Sequence, residues 1–266
     1  MAKRTIDEVM KELRNRRRLS QADKADESAE KRYECPKCKD ELGYIAQRGN
    51  TEVWVACACR ERRRAQKLLK SSEITEAFKN LDFEHFKTAG KHQSVKDAYE
   101  CALEYGQVYP DIQKSRRNSI ALLGRPGSGK THLLTAAAND LMRRLFVPVL
   151  YFPFVEGFND LKQDFALLEE KLNRMKQIEV LFLDDLFKPV GRKPRATEWQ
   201  IEQTYAVINY RYLNHKPILL SSELDVEEIV AIDEALGTRI IEMCQDFLVI
   251  LKGNSIDINH RLEGIL

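Results

Sequence analysis

No stretch of this sequence is apolar enough to cross a bilayer. The longest uninterrupted apolar run, Leu145 to Val155, has eleven residues including two prolines, where a spanning helix needs about twenty. The opening residues, MAKRTIDEVM, lack the apolar centre of a secretory signal. A cytoplasmic protein without a membrane partner is the expectation, and in that compartment the six cysteines stay reduced. Also missing is an excess of one charge. Across 266 residues the formal net charge is only +2, so nothing global points to nucleic acid. Internal repeats and low-complexity tracts are absent too.

What is there is a chain of 43% hydrophobic and 32% charged residues, enough for one core of about 200 residues and a smaller module. The basic residues are clustered at Arg14 to Arg18, Arg60 to Lys70, 114–117 and 192–195. Each cluster reads equally as a contact surface or as a solvated helix face or loop.

Reduced cysteines in pairs suggest metal. Cys35-Pro-Lys-Cys38 and Cys57-Ala-Cys59 are separated by eighteen residues, close to the spacing at which two knuckles face each other around one tetrahedral Zn²⁺. Four thiolates close that shell, so the ion's role is to fold a segment too small to hold itself together. Between the pairs, Gly43 to Gln47 and Thr51 to Ala56 read as strands joined by the turn Arg48-Gly49-Asn50. The pattern is a zinc ribbon. The second knuckle is one residue tighter than usual, and four free thiols, with Cys57 and Cys59 as buried strand residues, is the competing reading. Cys101 and Cys244 sit alone in helical patterns as small apolar residues.

Before the ribbon, Thr5-Ile-Asp-Glu8 forms a capping box ahead of an amphipathic pattern, with a polar linker over 15–34. The chain divides into an N-terminal module, residues 1–70, and a larger domain, 71–266. That domain is expected to be helical over Glu73 to Phe78 and Ser94 to Val108. Five apolar runs then alternate with helical patterns: Ser119 to Leu123, Pro148 to Pro153, Glu179 to Asp184, Pro217 to Ser221 and Phe247 to Leu251. Alternation of this kind gives an α/β fold with a parallel sheet and flanking helices.

Chemistry starts at the end of the first run. Gly124, Arg125, Pro126, Gly127, Ser128, Gly129, Lys130 and Thr131 fit G-x-x-x-x-G-K-[ST], between a strand and a helix through Ala136 to Ala138, with His132 next in line. Such a loop converges backbone N–H groups on phosphate oxygens at the positive end of a helix. Lys130 would neutralise the β and γ phosphates of ATP, and Thr131 would hold Mg²⁺. The alternative is a chance glycine-rich turn. Val180-Leu-Phe-Leu-Asp184-Asp185 reads as a buried strand ending in two carboxylates. Asp184 would contact Mg²⁺, and Asp185 would orient the attacking water. More blandly, two acids at a strand end cap a helix.

CPKC…CAC, GRPGSGKT, VLFLDDL, INYRY, LLSSE and TRIIEMC in that order resemble the AAA+ ATPases that load replicative helicases in bacteria and phages, the DnaC/DnaI-like proteins, together with the IstB-like transposition helper ATPases. The resemblance runs from about Tyr33 to the C-terminus. It implies a P-loop AAA+ (ASCE-type) sheet, an N-terminal region that grips a replicative DNA helicase, an ATPase domain that assembles into an ATP-dependent oligomer and touches single-stranded DNA, and a role in the initiation of DNA replication. Relatives commonly carry Glu where Asp185 stands, so slow hydrolysis, or completion of the site by another subunit, is expected. They also carry Ser-Asn where this chain has Ser221-Ser222-Glu223. A carboxylate beside phosphate is repulsive, which leaves Ser222 as a substitute sensor. Asp225 to Glu228 is read as the cap of a helix stopping at Gly237, so that Arg239 opens a short helix; in similar ATPases this arginine enters the neighbour's nucleotide site. A lone arginine at a helix start is otherwise usually solvated.

The apolar repeat Phe158, Leu161, Phe165, Leu168, Leu172 and Met175 is more often core than surface. The resemblance suggests that its polar face, with Lys162, Lys171, Arg174 and Lys176, lines a channel for DNA. A transposition helper remains an alternative, which the ribbon disfavours. A small-molecule kinase is disfavoured because no substrate lid is evident.

Overall fold

The computed structural model describes residues 33–49, 51–161, 164–190 and 196–262. The capping box at Thr5, the runs at 14–18 and 192–195, and Lys162 lie outside them. The chain forms two compact units divided between Arg60 and Glu61.

In the smaller unit, β1 (Gly43–Arg48) pairs antiparallel with β2 (Thr51–Ala56), with Ile45 opposite Trp54. Gly49 closes the turn at φ 63°, a conformation glycine adopts without steric cost. The helix α1 (Cys59–Ser71) begins on the fourth cysteine and runs into the larger unit.

The larger unit is a five-stranded parallel sheet. Its strands are β3 (Ile120–Gly124), β4 (Val149–Pro153), β5 (Val180–Asp184), β6 (Ile218–Ser222) and β7 (Leu248–Leu251), in the spatial order β4-β5-β6-β3-β7. Four of the five are buried along all or nearly all of their length because both faces of the sheet are covered. Alternate residues feed two cores. Ala121, Leu123, Leu150, Phe152, Leu181 and Leu183 pack with α4 (Phe154–Leu161), α5 (Phe165–Gln177), α6 (Glu198–Leu213), α7 (Val226–Ile232) and α8 (Glu234–Cys244). Ile120, Leu122, Val149, Tyr151 and Phe182 face α2 (Gln93–Ile112) and α3 (Lys130–Arg144) on the other side. Every strand read from the sequence lies within a residue of its observed limits. The apolar repeat of 158–177 is core: Phe158, Leu161, Leu168, Leu172 and Met175 are buried.

Two local expectations are corrected. Residues 73–78 form turns, not a helix. Glu73 takes a left-handed φ of 61°, and the Ser72 hydroxyl accepts the Ile74 N–H at 3.3 Å, so the backbone hydrogen bonds go to a side chain instead of a helical ladder. The second correction concerns Gly237, which ends no helix. Asp233 terminates α7 and caps α8, accepting the Leu236 N–H at 2.7 Å. Gly237 lies inside α8, where a Cβ would come within 2.7 Å of the Val230 Cα. Its role is close helix packing, and Arg239 is therefore mid-helix, not at a helix start.

The sheet order carries the functional geometry. β6 lies between β3, which leads into the glycine loop, and β5, which ends in Asp184. Residues at the end of β6 are thereby inserted between the two motifs.

Candidate functional site

The loop from Gly124 to Gly129 bends through left-handed backbone at Gly124 (φ 105°), Gly127 (φ 74°) and Gly129 (φ 90°). At Gly124 there is also no room for a side chain, because a Cβ would lie 2.5 Å from the Leu251 carbonyl oxygen. The Ser128 hydroxyl donates to the Arg125 carbonyl at 2.7 Å and the His260 N–H to the Gly127 carbonyl at 2.9 Å. Gly129 caps α3, so the unpaired N–H groups of that helix open toward the loop.

A cleft of about 750 Å³ lies over this helix start, lined by the loop, by Asp184, Asp185 and Glu223, and by Phe86 and His260. Lys130 is 5% exposed, and its ammonium donates to the Gly124 and Arg125 carbonyls at 2.7 and 2.8 Å. Burial pulls its pKa down to about 8, opposed by the carboxylates of Glu223, Asp185 and Asp184. His132 also lines the cleft, with Nε2 2.9 Å from the Asp82 carbonyl and its ring edge-on to Phe86.

Asp184 is the most crowded group in the cleft. Its Oδ1 accepts from the Thr131 hydroxyl at 2.9 Å and from the Ser221 hydroxyl at 2.5 Å, and its Oδ2 accepts from the Tyr151 hydroxyl at 3.0 Å. Burial raises its pKa, against the pull of these donors. Asp185 follows with φ 55°, its N–H held by the Ser221 hydroxyl at 2.8 Å and its carboxylate by the Lys188 ammonium at 2.6 Å. That hydrogen bond raises the pKa of Lys188. The structure thus brings together the loop, Lys130, Thr131, Asp184 and Asp185.

Ser222 is placed elsewhere. It is fully buried, donates to the Leu186 carbonyl at 2.7 Å and accepts the Leu224 N–H at 3.1 Å. Glu223 lines the cleft, 3.9 Å from Lys188. Arg239 donates to the Ala235 carbonyl at 2.6 Å, its guanidinium 5.4 and 5.5 Å from the ring centres of Tyr205 and Tyr212. Lys171 and Arg174, expected to face DNA, both form ion pairs with Glu73.

The residues that sequence reasoning missed are Tyr151, Ser221 and Lys188. Tyr151 sits in an apolar strand, where an aromatic residue reads as core. Ser221 was passed over for its neighbour, and the alternation of β6 decides between the two: Ser221 faces Asp184 and Ser222 does not.

In the smaller unit the four cysteines are buried, and their sulfurs lie within 4.8 Å of one another. Cys35 and Cys57 are 3.7 Å apart and Cys38 and Cys59 3.3 Å. A tetrahedral ion with metal–sulfur bonds of about 2.3 Å sets its sulfurs about 3.8 Å apart, so this donor set could hold a metal. Asp40 orders the first knuckle by accepting the Cys35 N–H at 2.9 Å. The Cys38 backbone N–H, together with neighbouring thiols, draws the Cys35 thiol down to about 6. Cys101 and Cys244 take no part in this cluster.

The family described as IstB-like ATP binding protein matches residues 52–264. The chain belongs to this family. It is 63% identical over 265 residues, the full length of both chains, to the phage-like element PBSX protein XkdC of Bacillus subtilis. It is 56% identical over 206 residues to the uncharacterized protein YqaM of the same organism, a match covering 77% of this chain and 66% of that one. Among solved structures, DnaI superposes with a TM-score of 0.55 at 21% identity, covering 70% of this chain and 97% of that one. The DnaC helicase loader superposes with a TM-score of 0.53 at 22% identity, covering 67% of this chain and all of that one. At such identities the likeness speaks to the fold. The family and the geometry of the site make this chain an IstB-like ATPase. No described helix is long and apolar enough to cross a membrane.

Proposed function

We propose that this ATPase loads a replicative helicase onto single-stranded DNA when DNA replication starts. The observation that carries the reading is the contact between Thr131 and Asp184 at 2.9 Å, which closes the ATP site on a sheet shared with the DnaC helicase loader, in a chain that also has a separate cysteine-bearing unit. Residues 1–70 are assigned to gripping the helicase and residues 71–266 to the motor. Cys35, Cys38, Cys57 and Cys59 would hold one Zn²⁺, which supplies the small unit with the fold energy that its short hairpin lacks.

In the motor, the loop N–H groups receive the phosphates of ATP and Lys130 exchanges its two loop carbonyls for their oxygens. Thr131 and Asp184 would hold Mg²⁺, which spreads the charge of the triphosphate. Asp185 orients the attacking water and accepts its proton; to do so its carboxylate must part from Lys188. Arg239 is assigned to the nucleotide of a neighbouring subunit, a role that requires it to leave the Ala235 carbonyl and the two tyrosine rings. Contact with single-stranded DNA is through the phosphate backbone and is indifferent to sequence.

A second reading is a transposition helper with the same motor and a transposase as partner, the role that the resemblance to IstB-like helper ATPases implies. Affinity capture with the intact protein separates the two. A hexameric helicase should co-purify with wild type and with Asp185→Asn, and Asp185→Asn should bind ATP without turning it over. Recovery of a transposase in its place would decide for the second reading, and wild-type turnover by Asp185→Asn would remove Asp185 from the chemistry.

A further inference from the structure

We infer that Tyr151 and Ser221 are positioning residues that fix the Asp184 carboxylate for the divalent cation of the ATP site, and that Ser221 also ties Asp184 to Asp185. The inference deepens the reading of the site given above and rests on Asp184 being the metal-side carboxylate.

An ionised carboxylate offers about four lone-pair positions. Thr131, Ser221 and Tyr151 occupy three of them on Asp184, from α3, β6 and β4 respectively. When Thr131 turns to a cation, the hydroxyls of Ser221 and Tyr151 are left to hold the carboxylate in the plane it now has. Without them a carboxylate that is 5% exposed would lack both water and donors, and nothing would hold its plane.

Ser221 does more than donate. Its hydroxyl donates a hydrogen bond to Asp184 Oδ1 and accepts one from the N–H of Asp185. Asp185 is a non-glycine residue at φ 55°, a backbone state that surrounding contacts must hold, and this hydrogen bond is one of them. A single hydroxyl can serve both neighbours in only one rotamer. The metal-side acid and the water-side acid are therefore set by one fully buried side chain, inserted between them because β6 runs between β3 and β5. Tyr151 is fixed from behind. Its backbone N–H donates to the Ser72 carbonyl at 2.8 Å, and its ring packs edge-on against Phe78 and Phe182.

The test measures, in the full chain, the affinity of a non-hydrolysable ATP analogue with Mg²⁺ and with a chelator in its place, for wild type, Tyr151→Phe, Ser221→Ala and Asp184→Asn. Residues that orient metal ligands contribute about 10- to 100-fold to metal affinity. Tyr151→Phe and Ser221→Ala should each lose about that much of the tightening that Mg²⁺ gives, with unchanged affinity in chelator. Ser221→Thr, which keeps the hydroxyl, should recover it. If both hydroxyl deletions keep the full Mg²⁺ effect while Asp184→Asn loses it, the two residues merely pack and the inference falls alone. If Asp184→Asn also keeps the effect, the metal assignment of Asp184 falls and takes this inference with it. Equal loss in Mg²⁺ and in chelator would show general damage to the site and overturn positioning.

Discussion

Arg211 shows how a residue quoted for a family likeness can be structural. It is fully buried on α6, and its guanidinium donates to the carbonyls of Met175, Lys176, Ile178, Glu179 and Pro217. Burial disfavours its charge, and the five carbonyls answer that cost by placing acceptor oxygens on a planar fork of donors. The carbonyls belong to the end of α5 and to the chain entering β5 and β6, so one side chain pins the approach of two central strands. Arg211→Ala should cost at least about 3 kcal/mol, since each buried carbonyl left without a donor costs about 1–3 kcal/mol. Arg211→Lys should recover little of it, because an ammonium is a point charge with three donors. Urea unfolding of the two variants checks the magnitude. Stability within error of wild type in Arg211→Ala would mean that water replaces the guanidinium.

Among the elements, α7 and α8 are held close by a glycine. Placing alanine at Gly237 should favour the helix by about 1 kcal/mol on propensity alone. The added Cβ, however, meets backbone at Val230 at 2.7 Å, and overpacking against a rigid neighbour costs about 1–3 kcal/mol. The second effect wins, so Gly237→Ala should destabilise the protein by about 1–2 kcal/mol. Thermal unfolding decides it: a raised Tm would show that the two helices part without cost. The same glycine marks where the sequence misled. Read locally, Gly237 was a stop signal, because glycine after an apolar turn commonly ends a helix; only the approach of Val230, seven residues earlier, explains it. The strands β3 to β7 were legible because their residues form short, mainly apolar runs between helical patterns. The loop and Asp184 were legible because their residues are adjacent in the chain. Tyr151 and Ser221 were not, because their partner, Asp184, lies 33 and 37 residues away.

The molecule as a whole joins a unit with little core of its own to one with two. In residues 33–60 the buried side chains are the four cysteines, with Leu42 and Tyr44 packed against them, while Ile45 and Trp54 stand 67% and 60% exposed on the hairpin. A hairpin of two strands is marginal in water by itself, so on the proposed reading a metal held by the four cysteines would supply what apolar burial does not. A double variant, Cys35→Ser with Cys57→Ser, should fall from about one zinc per chain to none. It should lose helicase capture and still bind ATP as wild type does, since Lys130, Thr131 and Asp184 are held by contacts within residues 61–266. Elemental analysis, affinity capture and nucleotide titration on one preparation read all three. Zinc-free protein that captured helicase as tightly as wild type would place the grip outside the cysteine unit, and ATP binding lost together with zinc would show that the two units do not act separately.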